Sequence, residues 1–281
     1  MRKRMFGSSG RDERKEMTAA GPRIHPLSVI SMTFVFVFIA IVVALIAADL
    51  SYIGLGDVSA ALAAPEIRAA IRLSAVTSLA TLLLVALFGA PTGYALSRYR
   101  FPGRGIADTI VDMPIVLPPL IIGVSLLVFF QTDPGKWIET HGLKFVYTRK
   151  GIVLCQFLCS VSYAIRAAKA SFDSDNQKLE TLALTLGCTP MQAFRMVALP
   201  LARNGIVAGA ILAWAHAVGI FGPLMVFAGC VRMKTEVLPT AIYLELSVGR
   251  IETALAIALL MLALAACMLA AIHRLAPGKR W

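Results

Sequence analysis

The chain has 281 residues, 58% of them hydrophobic and 15% charged, with 27 Lys+Arg against 16 Asp+Glu and a formal net charge of +11. Soluble domains carry roughly 25% charged residues, so a chain this apolar is excluded as a water-soluble enzyme or a nucleic-acid-binding module, and its positive charge must be read by placement. No Gly-x-x-x-x-Gly-Lys-Ser/Thr phosphate loop, His-Glu-x-x-His or Cys-x-x-Cys occurs, so no cofactor is expected and any ATP-driven work must be powered by another chain.

Residues 1–28 hold a Gly-Ser-Ser-Gly run and mixed charge, and read as a flexible tail. Six apolar spans follow, at Val29–Ala48, Ala69–Leu96, Thr109–Phe130, Gly151–Ala170, Gly205–Ala228 and Thr253–Ile272. Each approaches or exceeds the roughly 20 residues a helix needs to cross the hydrocarbon core. The first follows basic residues, as a secretory signal does. Its apolar run of about 20 residues is nevertheless longer than the roughly 7–15 of a cleaved signal, so it reads as an uncleaved span. The fold class is therefore all-α: a polytopic helical bundle in the lipid bilayer, with a membrane domain over 29–275 and a short tail over 276–281.

Eighteen of the 27 basic residues fall in the first 28 residues, the loop after the second span, the segment after the fourth and the C-terminus. Cytoplasmic loops carry the excess of Lys and Arg, which predicts both termini and the 173–200 segment on the cytoplasmic side. The five cysteines form no disulfide framework. Cys155 and Cys159 stand one helical turn apart, but no His or carboxylate accompanies them at ligand spacing, so they read as packing residues. Gly89-x-x-x-Gly93 and Gly205-x-x-x-Gly209 offer faces for close helix approach.

The segment after the fourth span, "LETLALTLGCTPMQAFRMVALP" (179–200), is unlike the rest. Asp173 and Ser174 are N-cap candidates. Leu179, Leu182, Ala183 and Leu186 then recur at helical steps as one apolar stripe. Gly187 stands where a C-cap needs a left-handed backbone. Thr189 restarts the helix, with Pro190 at the first position and Gln192 completing a capping box. Met191, Phe194 and Val197 form a second stripe, and Leu199-Pro200 lead towards the fifth span. The result is a rigid two-helix elbow. Its stripes need an apolar partner: the bundle's own face, the membrane interface, or a groove on a soluble protein.

This stretch resembles the EAA loop of membrane subunits of binding-protein-dependent ABC importers: Glu-Ala-Ala, three residues, Gly, nine residues, Ile-x-Leu-Pro. Aligned on Gly187, Val197 takes the Ile position, and Leu199 and Pro200 follow at the family's distance. At the front, Thr181 takes the Glu position, Leu182 the first Ala and Ala183 the second, with Glu180 one residue early. The resemblance runs from about Ala69 to His273. "SRYRFPGRGIADTIVDMPIVLPPLIIGVSLL" (97–127) and "TEVLPTAIYLELSVGRIETALAIALL" (235–260) are similar to segments of molybdate and sulfate permeases. It implies a multi-pass subunit of a bacterial or archaeal inner membrane, not itself an enzyme, working as a dimer with a same or homologous second permease chain. The implied partners are a dimeric ABC ATP-binding subunit and an external solute-binding protein. In such importers the elbow seats in a cleft of the ATPase, which implies coupling roles for Glu180, Thr181, Ala183, Gly187, Thr189, Pro190, Phe194, Leu199 and Pro200.

Two segments are candidates for the pore. The third span opens with Pro114 and then Pro118-Pro119, and the fifth carries Gly219-Ile220-Phe221-Gly222-Pro223 in its outer half. Proline removes a backbone donor and bends a helix. Pro118, Pro119, Gly219, Phe221 and Gly222 therefore read either as a gate or as ordinary packing. His216 is the one strongly polar ionisable group deep in a span; it reads as a hydrogen-bonded packing residue or as a proton site. Molybdate and sulfate permeases typically show Ala-Arg-Ala-Leu-Gly-Glu-Phe-Gly where this chain has Ala215 to Gly222, so His216 and Ile220 replace an Arg/Glu pair together. Losing both avoids an unpaired buried charge and spares the fold; it leaves the solute open. The expectation is a permease for an oxyanion such as molybdate, tungstate or sulfate. The rivals are a member of the same family with another solute, and a carrier driven by an ion gradient, which predicts intramembrane carboxylates and repeated halves.

Overall fold

The computed structural model describes residues 26–173 and 176–275. Residues 1–25 of the proposed 1–28 tail, the 276–281 tail and Ser174 lie outside them, and 26–28 belong to the first helix. The chain divides into two units at Tyr52. The first contains α1 (Pro26–Tyr52), 27 residues apolar on every side. It is about 40 Å long at 1.5 Å per residue.

Every regular element among the second unit's described residues is a helix. It runs α2 (Leu55–Ala63), α3 (Pro65–Arg98), α4 (Arg104–Val116), α5 (Pro119–Phe129), α6 (Asp133–Thr140), α7 (Arg149–Asp173), α8 (Asn176–Thr185) and α9 (Pro190–Ala193). A π-turn (Phe194–Ala198) leads into α10 (Leu199–Gly219), followed by α11 (Gly222–Phe227), α12 (Leu238–Ser247) and α13 (Ile251–Leu275). Helices satisfy every interior N–H and C=O within the segment, as a lipid-spanning chain requires.

The centre of this unit is α7, packed against α3 on one side and α10 on the other. Its register can be read from contacts. Thr81 donates to Gln156 (3.0 Å) and Ser97 to Asp173 (2.6 Å), offsets of 75 and 76 residues. Gly89 and Gly93 keep that step: a Cβ built on them would stand 3.0 Å from the Ala164 Cβ and 2.7 Å from the Ala168 Cβ. The pair α3/α7 is therefore parallel and in register over about 16 residues. On the other side, a Cβ on Gly205 or Gly209 would overlap Ser171 or Ala167, the descending order of an antiparallel pair. Both Gly-x-x-x-Gly motifs thus face the same central helix, as small-residue packing between membrane helices demands.

The six expected spans are recovered with two corrections. The third is not one helix: α4 and α5 meet at 112°. Leu117 is extended (ψ 138°) and Pro118 (ψ 126°) follows in the same form. A residue before proline is driven out of the α region, and two consecutive prolines hold the break open. Pro114 is instead accommodated inside α4. The fifth span starts earlier and ends earlier than Gly205–Ala228. A helical run from Pro190 ends at Gly219, Ile220 is extended, and α11 restarts at Gly222.

Candidate functional site

The elbow forms as its caps prescribe. Gly187 has φ +92°, its N–H donates to Leu184 O (3.1 Å), and Cys188 N–H reaches Ala183 O (3.1 Å). These paired bonds close a Schellman motif that only a left-handed residue permits. Thr189 then opens α9 with both halves of the predicted capping box: Gln192 N–H donates to Thr189 Oγ1 (3.3 Å) and Thr189 N–H to Gln192 Oε1 (2.8 Å). Asp173 differs from expectation. It closes α7 and accepts from Ser97 rather than capping α8. No turn separates the elbow from the fifth span. Pro200 has no N–H to give the preceding turn, and the π-turn immediately before α10 carries the chain through.

The elbow has two faces. Ala183, Ala193 and Ala198 are buried. Phe194 stacks edge-on to Tyr94 (4.7 Å), which also meets Phe172 (5.2 Å). Tyr94 Oη donates to Glu180, and Arg98 Nε pairs with the other Glu180 oxygen at 2.7 Å, both side chains under a tenth exposed. Glu180 therefore points inward and ties α8 to the end of α3. Thr181, Gly187, Thr189, Pro190 and Pro200 stand on the surface, and Leu199 is half-buried. Outward, Leu182, Leu186, Met191 and Met196 are 55–77% exposed. Covering a Leu or Met fully is worth about 1.5–3 kcal/mol.

A second set of braces at this end was not paired by the sequence reading. Arg166 on α7 pairs with Asp112 and, at 3.1 Å, with Asp108 on α4; Lys169 holds Asp108 at 3.0 Å. Carboxylates four residues apart on α4 present one face to α7. That spacing was readable, but not its partner.

The two broken spans meet each other. A Cβ on Gly123 of α5 would stand 2.6 Å from the Cα of Pro223, and Gly222 faces Leu120. Pro118 and Pro119 are exposed at the bend, Gly219 is exposed with open space beside it, and half-buried Phe221 packs on Tyr243 (5.5 Å). His216 lies one turn before the break, its ring 4.7 Å from that of Tyr163, with Nδ1 3.4 Å from Ser160 Oγ. Next to it, buried Gln156 donates to Ala217 O (3.2 Å). A Gln that satisfies both its ends inside the bundle pins α7 to α3 and α10.

Over residues 84–281 the sequence matches the family of binding-protein-dependent transport system inner membrane components. The chain belongs to that family. This inner membrane component is 37% identical over 164 residues to the molybdate/tungstate transport system permease protein of Thermococcus kodakarensis, covering 58% of this chain and 62% of that protein. It is 30% identical over 213 residues to the sulfate transport system permease protein of Escherichia coli, 75% and 77% of the two chains. It is 31% identical over 217 residues to the molybdenum transport system permease protein of Mycobacterium tuberculosis, 76% and 81%. Its fold is that of a bacterial alginate ABC transporter chain crystallised with a pentasaccharide-bound periplasmic protein (TM-score 0.72, 17% identity, 94% and 95% covered). It also resembles a methionine ABC transporter chain in inward-facing form (TM-score 0.58, 20% identity, 74% and 93% covered).

Proposed function

We propose that this inner membrane component is the permease subunit of an ATP-driven importer. Two such chains, identical or homologous, surround a path for a solute handed over by an external binding protein. Residues 29–275 are the permease domain, and both termini face the cytoplasm. An ABC ATP-binding subunit covers the 173–200 elbow on that side. The observation that carries this reading is the elbow's uncovered face of Leu182, Leu186, Met191 and Met196 on a capped, internally braced scaffold. Glu180 works from inside, by holding the elbow to α3 so that movement of the one moves the other. The break at Pro118-Pro119 and the break at Gly219 to Gly222 form the gate, with His216 beside it. Tetrahedral oxyanions, namely molybdate, tungstate or sulfate, are the solute class, supported by the solutes named for the relatives above.

The test is co-purification of the chain with the ATP-binding subunit. The Leu186 side chain is 77% exposed, so Leu186→Glu should leave elution and thermal stability unchanged. A buried, unpaired carboxylate in the docked complex should reduce the bound ATPase by about tenfold or more. Undiminished capture by Leu186→Glu overturns docking on this face.

A further inference from the structure

The end of the bundle opposite the elbow holds a pocket of about 790 Å³ between the first turns of α3 and α7 and the loop before α12. Its lining includes Arg68, Arg72, Arg149 and Lys150, with Glu236 as the only carboxylate. A second pocket of about 570 Å³ shares Arg149 and Lys150 and adds Lys144 and Lys234. Six of the nine basic residues that the sequence assigns to the non-cytoplasmic side therefore converge on one arc.

We propose that this arc binds a tetrahedral oxyanion; the inference deepens the importer reading and rests on it. Arg68 and Arg72 are four residues apart on α3, and Arg149 and Lys150 are adjacent on α7. Like charges four residues apart on a helix repel one another. Among the described residues none of the four is ion-paired with a carboxylate. Arg68 gives one N–H to Ala63 O (2.9 Å) and Arg149 one to Lys234 O (3.2 Å). These bonds hold two guanidiniums by one edge and leave donors free. No other cation follows on α3 until Arg98, or on α7 until Arg166, so the positive charge of these helices is concentrated at their ends.

Glu236 supplies the second observation. It is 1% exposed, and neither carboxylate oxygen has a hydrogen-bond partner. Burial raises its affinity for a proton, opposed by Arg232 and the nearby Met233 amide. An anion bound beside it would favour the protonated form further, and a protonated carboxyl donates a hydrogen bond to an anion. Four cations with spare donors and one buried acid without a partner match an oxyanion's several acceptor oxygens. A free solute and the phosphate of an anionic lipid share that chemistry.

The experiment uses the full chain in nanodiscs of phosphatidylcholine alone, with equilibrium dialysis of radiolabelled sulfate and molybdate. Wild type should bind saturably, more weakly as salt rises because the cations are exposed. Arg72→Gln/Lys150→Gln should bind about tenfold more weakly or worse, while Arg72→Lys/Lys150→Arg retains most binding. A parallel arm adds phosphatidylglycerol and reads lipid retained by native mass spectrometry. If that lipid, and no free anion, distinguishes wild type from the neutralised variant, the oxyanion is a headgroup. If neither does, the proposal is overturned. It is equally overturned if only recruitment of the external binding protein is lost, which makes the arc a protein-docking face. Capture of the ATP-binding subunit is scored on the same preparations, so loss of the anion site with the ATPase still bound separates this inference from the importer reading.

Discussion

Glu180 is the residue on which the elbow's attachment turns. It accepts from Tyr94 and pairs with Arg98, whose Nη2 is buried and already lacks a partner. Removing one member of a buried pair leaves an uncompensated charge, at about 3–5 kcal/mol. Losing only a hydrogen bond to a charged group costs about 1.5–3 kcal/mol. Glu180→Ala should therefore lower the melting temperature more than Tyr94→Phe, and fluorescence-monitored unfolding in detergent checks the order. Equal shifts would mean that the ion pair adds nothing to the hydroxyl. The sequence placed Glu180 on the elbow but did not reveal that its carboxylate turns inward. Its partners are 82 and 86 residues away, a separation that periodicity does not carry.

At the scale of elements, glycine has opposite consequences at two positions. At Gly93 a methyl group would stand 2.7 Å from the Ala168 Cβ and 2.8 Å from the Lys169 backbone nitrogen. Overpacking of this kind costs about 1–3 kcal/mol, so Gly93→Ala should destabilise the α3/α7 pair, read as a lower melting temperature. At Gly219 nothing lies within 4 Å, and the helix stops there. Gly219→Ala adds up to about 1 kcal/mol of helix preference. It should keep or raise thermal stability while slowing solute uptake, if the break is the gate. Unchanged uptake would assign the break to packing alone. Local signals were the legible part: the left-handed Gly187, the Thr189/Gln192 box and both Gly-x-x-x-Gly faces follow from a few adjacent residues. The 112° bend was legible only as a pair of prolines, because proline forbids a straight continuation without setting the direction taken. The short helices α2, α6 and α12 were missed: they lie in the connections between spans, and none is long enough to cross the bilayer.

For the molecule as a whole, basic clusters stand at both ends of one axis. The parallel pair α3/α7 starts beside Arg68, Arg72, Arg149 and Lys150 and ends beside Arg98, Arg166 and Lys169 with the elbow. Among the described residues the two ends carry similar numbers of basic residues; the excess of Lys and Arg that would mark the elbow end as cytoplasmic comes from the tails outside them. Cysteines at the two ends test this directly, in a background with Cys188→Ser and Cys230→Ser. Leu186 is 77% exposed on the elbow and Val231 52% exposed in the opposite loop, so either position accepts a thiol without repacking. A membrane-impermeant maleimide added to intact cells should label Val231→Cys and leave Leu186→Cys untouched. Inverted vesicles should reverse the pattern, with Leu186→Cys labelled several-fold faster once the ATP-binding subunit is stripped, since docking would cover it. Labelling of Leu186→Cys from outside intact cells would invert the topology. The elbow would then lie on the side where no ATPase can reach it, and both the coupling role and the outward placement of the basic arc would fall together.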